Sequence, residues 1–184
     1  MTTIKQAAAE FLASKRVAVT DVSRTPQGHG SNMVYQRLRQ RGYEVFAVNP
    51  EAGQVEGDTY YPDLTSIPGG VDWVVIGTRP QTAEATIREC ARLGITRVWM
   101  YRGPGAGSVS HAAAEYGRRR GITVIEGGCP CMFGATADPG HKAMRFGVHA
   151  DGQRATARVT QGNGARACGW CSARRLSKRN GTSP

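Results

Sequence analysis

The sequence predicts an α/β fold in which a parallel five-stranded sheet carries helices on both faces, and two observations support it. Short apolar segments alternate with helix-like segments of roughly 10–13 residues between positions 16 and 126, which is the spacing of β–α–β units. Residues 71–76 also form a nearly continuous apolar run, as expected of a strand that is buried on both faces. Because crossovers between parallel strands are right-handed, these units fix most of the topology.

Strands and helices alternate along the chain after a leading helix. That helix is predicted over residues 5–12, where the apolar positions 7, 8, 11 and 12 share one face. The predicted strands are residues 16–20, 44–48, 71–76, 96–100 and 122–126. The helices between them are residues 32–41, 82–92 and 108–120. Residues 53–68 are rich in loop-forming types, and residues 60–64 within them are predicted to cross back toward the sheet.

Capping residues indicate where the helices begin and end. Ser31 is the predicted N-cap of the second helix, and Gly42 follows its last residue. Val34 and Leu38 are four positions apart on this helix and should face the sheet. Glycines at positions 94 and 121 follow the next two helices in the same way.

Charge divides the chain into a domain, residues 1–146, and a basic tail, residues 147–184. The chain has 24 Lys and Arg against 14 Asp and Glu, a net charge of +10. The tail holds seven basic residues and one acidic residue, so it carries +6 and the domain +4. A domain of that charge does not require a nucleic-acid partner. The tail has few apolar side chains to offset its ordering entropy, so we predict that it is disordered or loosely attached.

Several functional classes are disfavoured by composition. No apolar segment approaches the roughly 18 residues that a bilayer span requires. The first residues lack the apolar core of a signal peptide, so a cytoplasmic location is expected. An interaction protein whose basic tail contacts nucleic acid or an acidic partner stays as a third interpretation, and nucleic acid is not the partner that we favour.

The five cysteines, an odd number, argue against a disulfide framework. Cys90 is predicted to be a buried, inert thiol. Two close pairs, Cys129 with Cys131 and Cys168 with Cys171, could supply zinc ligands or a redox dithiol. The first spacing is C-P-C rather than C-x-x-C, and the second pair lies in the unpatterned tail. No metal site is therefore assigned.

Residues 15–50 have the features of the β–α–β unit that opens a nucleotide-binding sheet. A strand is followed by a polar loop, a glycine-containing turn, a helix start and a second strand. Unpaired backbone N–H groups at the positive end of a helix dipole attract phosphate. Ligands of parallel sheets lie beyond the carboxyl ends of the strands, so the loops that follow the strands are the expected site.

A dinucleotide site is the alternative from another class. Two of the three glycines of the pattern G-x-G-x-x-G are present in Gly28-His29-Gly30-Ser31-Asn32-Met33, which begins eight residues after the first strand. The second strand is followed by Asn49-Pro50 and not by an acidic residue that would bind ribose hydroxyls. An NAD(P)-binding regulator or oxidoreductase is therefore the second interpretation.

Several short motifs keep the order and spacing of one known family. They are Val17-Ala18-Val19 with Val22-Ser23-Arg24, Gly42-Tyr43 with Val45, Val48-Asn49-Pro50, Gly57 with Tyr61 and Asp63-Leu64, Val71-Asp72, Gly94-Ile95, Val98-Trp99, Gly121-Ile122 with Val124-Ile125, and Cys129-Pro130. Over about residues 11–146 the chain resembles the small stand-alone CoA-binding proteins, which are similar to the CoA-binding domain of the succinyl-CoA synthetase α subunit. The resemblance implies a doubly wound, Rossmann-like, three-layer α/β/α fold that binds CoA or an acyl-CoA.

The resemblance also implies which residues bind the cofactor, all of them in loops at the carboxyl ends of strands. The phosphates would meet Val22, Ser23 and Arg24, and the nucleotide end would meet Val48, Asn49 and Pro50. The adenine or pantetheine side would be lined by Gly77, Thr78, Arg79 and Pro80, and the far wall by Met100 and Tyr101. A guanidinium group makes bidentate contacts to phosphate oxygens, which supports the role of Arg24 independently.

This chain departs from the family at four places. Asp21 stands where the family usually has glycine, and Glu51 stands where it often has lysine. A carboxylate beside the expected phosphates repels them, so both residues should weaken binding. Cys131 stands where we would expect leucine, and residues 147–184 do not resemble the short C-terminus of the family.

No catalytic residue is assigned. The synthetase relatives use a phosphorylated histidine in a glycine-rich loop, and no such motif surrounds His29, His111, His141 or His149. His111 lies on a predicted helix and is expected at the surface. The favoured interpretation is a CoA- or acyl-CoA-binding protein without evident catalytic machinery, and a homo-oligomer is possible.

Overall fold

Four α-helices and eight strands are described in the computed structural model, which covers residues 3–25, 29–51, 54–55, 58–103, 107–134, 137, 140 and 158–160. The helices are α1 (Ile4–Ala13), α2 (Gly30–Gln40), α3 (Pro80–Leu93) and α4 (His111–Arg119), and a 3-10 turn spans Pro130–Met132. The strands are β1 (Arg16–Thr20), β2 (Glu44–Val48), β3 (Gln54–Val55), β4 (Asp58–Tyr61), β5 (Trp73–Ile76), β6 (Arg97–Met100), β7 (Thr123–Glu126) and β8 (Arg158–Thr160).

The strands form one sheet in the order β3-β4-β2-β1-β5-β6-β7-β8. The six inner strands of this order, β4, β2, β1, β5, β6 and β7, are parallel to one another. The two short outer strands, β3 and β8, run antiparallel to their neighbours. The predicted class, a Rossmann-like parallel α/β fold, is therefore confirmed. The predicted number of five parallel strands is wrong, because β4 pairs with β2 within the segment that was expected to be a loop crossing.

Two hydrophobic clusters lie on opposite faces of the sheet, so the domain has three layers. One contains Phe11 of α1 with Val34 and Leu38 of α2, and the prediction that these two α2 residues face the sheet is confirmed. The Phe11 ring meets two tryptophans of the sheet edge-on, with centroid distances of 5.8 Å and 5.9 Å. The other cluster contains the buried faces of α3 and α4, including Ile87 and Cys90.

The start of α2 differs from the prediction. The helix begins at Gly30, two residues before the predicted start, and its N-cap is His29, whose side chain makes no capping hydrogen bond. Ser31 is not the cap but a buried residue of the first turn. The glycines predicted to follow α2, α3 and α4 do so: Gly42, Gly94 and Gly121 have positive φ angles of 74°, 72° and 81°.

Most of the predicted tail, residues 147–184, lies outside the described residues, and so do Cys168 and Cys171. Within it, β8 pairs antiparallel with β7, which the sequence did not predict. The boundary at residue 146 and the loose attachment of the tail stay predictions. Among the described residues, no helix is both long enough and apolar enough to cross a membrane.

Candidate functional site

The carboxyl ends of β1, β2, β5 and β6 bring all the predicted cofactor-binding residues to one edge of the sheet. β1 lies between β2 and β5. From β1 the chain first adds β2 and β4 on one side, and then crosses to add β5, β6 and β7 on the other side. In open α/β sheets a crevice forms at such a switch point, and ligands bind there. The loop after β1 and the first turns of α2 and α3 surround this position, which we call the switch-point crevice (residues 21–24, 29–32, 48–51, 77–80 and 101).

The floor of the switch-point crevice is closed by Gly77. Its N–H donates to Thr20 Oγ1 at 3.1 Å. A Cβ atom at this position would lie 2.0 Å from Ser31 Oγ and 2.6 Å from the Thr20 carbonyl oxygen. Only glycine therefore lets β1, β5 and the first turn of α2 meet here. A ligand must lie above this contact, at the level of the loops.

The loop after β1 is fastened to α2 by Asn32. Its Oδ1 accepts the Ser23 N–H at 2.8 Å, and its Nδ2 donates to the Ser23 carbonyl oxygen at 2.7 Å. Ser23 Oγ in turn accepts the Thr25 N–H at 3.1 Å. The Val22 side chain is fully buried. The Ser23 backbone is thus engaged within the protein, and the sequence reasoning missed Asn32, whose signal was an amide in the first turn of a helix.

Asn49 holds the ends of three strands together. Its Nδ2 donates to the Val22 carbonyl oxygen at 3.0 Å, and its Oδ1 accepts the Glu51 N–H at 3.0 Å. Its own N–H donates to the carbonyl oxygen of Tyr61, the last residue of β4, at 2.9 Å. Val48 is buried in front of it, and Pro50 follows. Asn49 therefore shapes the loop, and its amide group is already occupied.

Arg24 and Glu51 form an ion pair at the rim of the crevice. Arg24 Nη2 lies 3.2 Å from Glu51 Oε2, and the two side chains are 60% and 79% exposed. Ion pairs with that exposure are weak, so a phosphate could replace the carboxylate. The pair also means that Glu51 competes for the cation that a phosphate would use.

Asp21 follows the last residue of β1 in a left-handed conformation, and its side chain is exposed. Its φ is 61°, and it is the one residue other than glycine with positive φ among the described residues. Its N–H donates to the Val48 carbonyl oxygen at 2.9 Å. Partial burial raises the pKa of its carboxyl group, and the charges of His29 and Arg79 oppose that rise. The positive φ also explains why a glycine would be suited to this position.

The end of β5 passes into α3 through Thr78, Arg79 and Pro80. Arg79 is the N-cap of α3 and Pro80 its first residue, where a missing N–H is tolerated. Thr78 Oγ1 is buried, and it has no hydrogen-bond partner within the described part of the chain. Buried hydroxyls are normally satisfied, so an unpartnered one beside a crevice indicates a polar ligand or water.

Met100 and Tyr101, which were predicted to form the far wall of the site, lie in different surroundings. Met100 is fully buried in the cluster under α3 and α4, so its side chain is part of the core. Tyr101 is 7% exposed and packs beside the first residue of α2, where a Cβ on Gly30 would lie 2.5 Å from Tyr101 Cε1. A Cβ on Gly103 would lie 2.2 Å from the Tyr101 hydroxyl. Burial raises the pKa of Tyr101 to about 12.

Two further groups of reactive side chains lie next to the crevice. His111 is exposed, as predicted, and its Nδ1 lies 2.5 Å from Oε2 of the buried Glu126, whose register partner on β6 is Met100. Cys129 and Cys131 are buried free thiols, and their mutual hydrogen bond together with burial raises the pKa of Cys129. No group of three metal-ligating side chains occurs among the described residues.

The family model described as "CoA binding domain" matches residues 15–135 of the chain. A curated relative, acetate–CoA ligase [ADP-forming] II of Archaeoglobus fulgidus, is 33% identical over 107 residues, which are 57% of this chain and 16% of the ligase. An uncharacterized protein of Bacillus subtilis, YneT, is 29% identical over 112 residues, 61% of this chain and 79% of that protein. The chain thus spans only a small part of the ligase.

Solved structures share the fold. A hypothetical protein from Pyrococcus horikoshii OT3 superimposes with a TM-score of 0.60 at 23% identity, covering 66% of this chain and 83% of that one. An acetyl-coenzyme A synthetase of Ca. Korarchaeum cryptofilum gives 0.51 at 22% identity, covering 60% of this chain and 25% of that one. At these identities the likeness concerns the architecture of the sheet and helices. The match of residues 15–135 includes every residue of the switch-point crevice.

Proposed function

The chain belongs to the CoA binding domain family, and we propose that it binds coenzyme A, free or as an acyl thioester, in the switch-point crevice without converting it. The family match over residues 15–135 is the observation that carries this proposal. A site within the matched region needs cationic groups for phosphates and room above the closed floor at Gly77. The loops after β1 and β5 supply the cationic groups, Arg24 and Arg79.

In this proposal Arg24 is the principal phosphate ligand. Its guanidinium is exposed and is held only by Glu51 across a solvent-exposed pair. The N-terminus of α2, which His29 leaves without a side-chain cap, adds the positive end of a helix dipole. Because the Ser23 N–H is donated to Asn32, Ser23 would contact a phosphate through its hydroxyl and not through its backbone.

Thr78 and Tyr101 would contact less polar parts of the ligand. The buried Thr78 hydroxyl, which has no hydrogen-bond partner among the described residues, would hydrogen bond with a polar group of the adenosine or pantetheine. Tyr101 would bound the crevice on the side of β6. Asn49, Val22 and Val48 support the loops from behind, which agrees with their internal hydrogen bonds and burial.

A binding role without turnover is the interpretation that follows from the sequence, in which we find no motif of a nucleophile with its activating base. A cytoplasmic location and a possible homo-oligomer stay predictions from the sequence.

Isothermal calorimetry with CoA, acetyl-CoA, NAD and NADP in parallel tests the proposal. We expect CoA and acetyl-CoA to bind with one site per chain and the dinucleotides to bind at least about tenfold more weakly, since the end of β2 offers Asn49 in place of a ribose-binding carboxylate. Thr78→Val should weaken CoA binding while the urea midpoint stays unchanged. Binding of NAD or NADP in preference to CoA would instead establish the dinucleotide interpretation.

A further inference from the structure

The switch-point crevice already contains a negative charge of the protein itself. Asp21 lies at the carboxyl end of β1, between the residues that precede α2 and α3. His29, before α2, and Arg79, before α3, both interact electrostatically with its carboxylate. These are also the positions where the positive ends of two helix dipoles meet. The Asp21 carboxylate therefore lies close to the groups that would attract an anionic ligand, although partial burial on balance raises its pKa.

The backbone fixes Asp21 in this place. Its N–H is bonded to the Val48 carbonyl oxygen, and its left-handed φ of 61° directs the chain into the loop that Asn32 fastens. Aspartate adopts this conformation more readily than most residues other than glycine and asparagine. The carboxylate therefore cannot leave the crevice by a shift of the strand end, and only side-chain rotation or protonation can remove its charge from the path of a ligand.

We propose that Asp21 determines the charge specificity of the crevice, so that an anionic ligand such as a diphosphate binds together with a proton that Asp21 takes up. The proposal rests on CoA binding in this crevice. A phosphate bound between His29 and Arg79 would weaken the attraction of these two residues for the Asp21 carboxylate. It would also bring a second negative charge close to that carboxylate. Both changes favour the neutral carboxylic acid. The proton comes from solvent and is released again when the ligand leaves.

The sign of the pH dependence follows from this coupling. The ligand raises the pKa of Asp21 above its value in the free protein, which is itself raised by partial burial. The affinity of the wild-type protein is then highest below both values and falls as the pH rises through them. A ligand-induced rise of one pKa unit corresponds to an affinity about tenfold lower at neutral pH than in the acid limit.

Asp21→Asn is the decisive variant, because asparagine keeps the size of the side chain, tolerates the left-handed conformation and carries no charge. Asp72→Asn is the matched control. It removes the same charge at the opposite edge of the sheet, where the Asp72 carboxylate accepts the Arg16 N–H at 3.1 Å. CoA is titrated calorimetrically into the full chain and both variants from about pH 5 to pH 7.5, in pairs of buffers with different ionisation enthalpies.

We expect wild type and Asp72→Asn to take up a fraction of a proton per CoA beyond that of Asp21→Asn, which reports the phosphates of CoA together with every other ionisable group of the crevice. Near pH 7 the Asp21→Asn variant should bind about tenfold more tightly than wild type, and the ratio should fall toward one as the pH approaches 5. If CoA binds equally to both proteins at all pH values, Asp21 does not determine specificity and rotates into solvent. If CoA binds to neither the wild type nor the two variants, the proposed function itself is wrong.

Discussion

Replacing Arg24 with alanine should weaken CoA binding by about 0.5–2.8 kcal/mol, a range that follows from two opposing contributions. A hydrogen bond to a charged group contributes about 1.5–3 kcal/mol. Before a phosphate can bind, the ion pair between Arg24 and Glu51 must break. With side chains 60% and 79% exposed, such a pair contributes only about 0.2–1 kcal/mol, which is subtracted from the gain.

Glu51→Gln tests the same geometry in the opposite direction. Glutamine keeps the length of the side chain and removes the charge that competes for Arg24, so CoA binding should strengthen by about 0.2–1 kcal/mol. In the Arg24→Ala background most of this gain should vanish, since no guanidinium remains to be released. Calorimetric titration of the wild type, both single variants and the double variant gives the coupling energy between the two residues.

Glu115→Gln is the control, since it breaks an exposed ion pair with Arg119, at 3.2 Å within α4, and should leave CoA affinity unchanged. The gain from Glu51→Gln should also shrink at high salt, because the pair lies in solvent. A dissociation constant that Arg24→Ala leaves within about twofold would show that Arg24 does not bind the ligand. Equal gains from Glu51→Gln with and without Arg24 would mean that Glu51 repels the ligand directly.

Further predictions concern stability, the tail and metal content. Gly77→Ala should lower the free energy of unfolding by about 1–3 kcal/mol and impair CoA binding, because its Cβ would overlap Ser31 and the Thr20 carbonyl; urea denaturation measures this, and an unchanged midpoint would contradict the packing described. Asp21→Gly should strengthen CoA binding near pH 7 without loss of stability, since its φ of 61° suits glycine; weaker binding in calorimetry would contradict it. A chain ending at residue 146 should stay folded and lose little stability in urea, because the six parallel strands precede that point; an unfolded product would show that the tail is structural. Elemental analysis should find no stoichiometric zinc, and one zinc per chain that disappears in a Cys168→Ser/Cys171→Ser variant would overturn this.

The sequence predicted most accurately the elements whose signals are local. β1 and β2 were predicted with their observed bounds, Arg16–Thr20 and Glu44–Val48, because each is an apolar run between polar or glycine-containing turns. β4 was missed because only two of its residues pair with β2, at Ala47 with Tyr60 and Val48 with Tyr61. So short a strand has no periodicity of its own and is formed by its neighbour.

The start of α2 was misjudged because tertiary contacts outweighed the capping preference. Serine is a favoured N-cap, yet the Ser31 hydroxyl lies in the closed contact at Gly77 and is buried. Gly30 can begin the helix because its missing side chain leaves room for the Tyr101 ring. Both facts depend on the residues that directly follow β5 and β6, Gly77 and Tyr101, which lie far from α2 in the sequence.

The candidate site shows the same limit in its electrostatics. Its location followed from the rule that ligands lie beyond the carboxyl ends of parallel strands, and the structure brings those loops together. The sequence did not predict which polar groups remain available there, because that depends on partners that are distant in sequence. Asn32 accepts the Ser23 N–H, and Asn49 donates to the Val22 carbonyl oxygen. With these groups engaged, the charges that remain are those of Arg24 and Glu51 at the rim and of Asp21 with His29 and Arg79 nearby. Carboxylates of the same chain therefore accompany the cations of the crevice, and under our proposal the affinity for an anionic ligand depends on how easily those carboxylates are displaced or protonated.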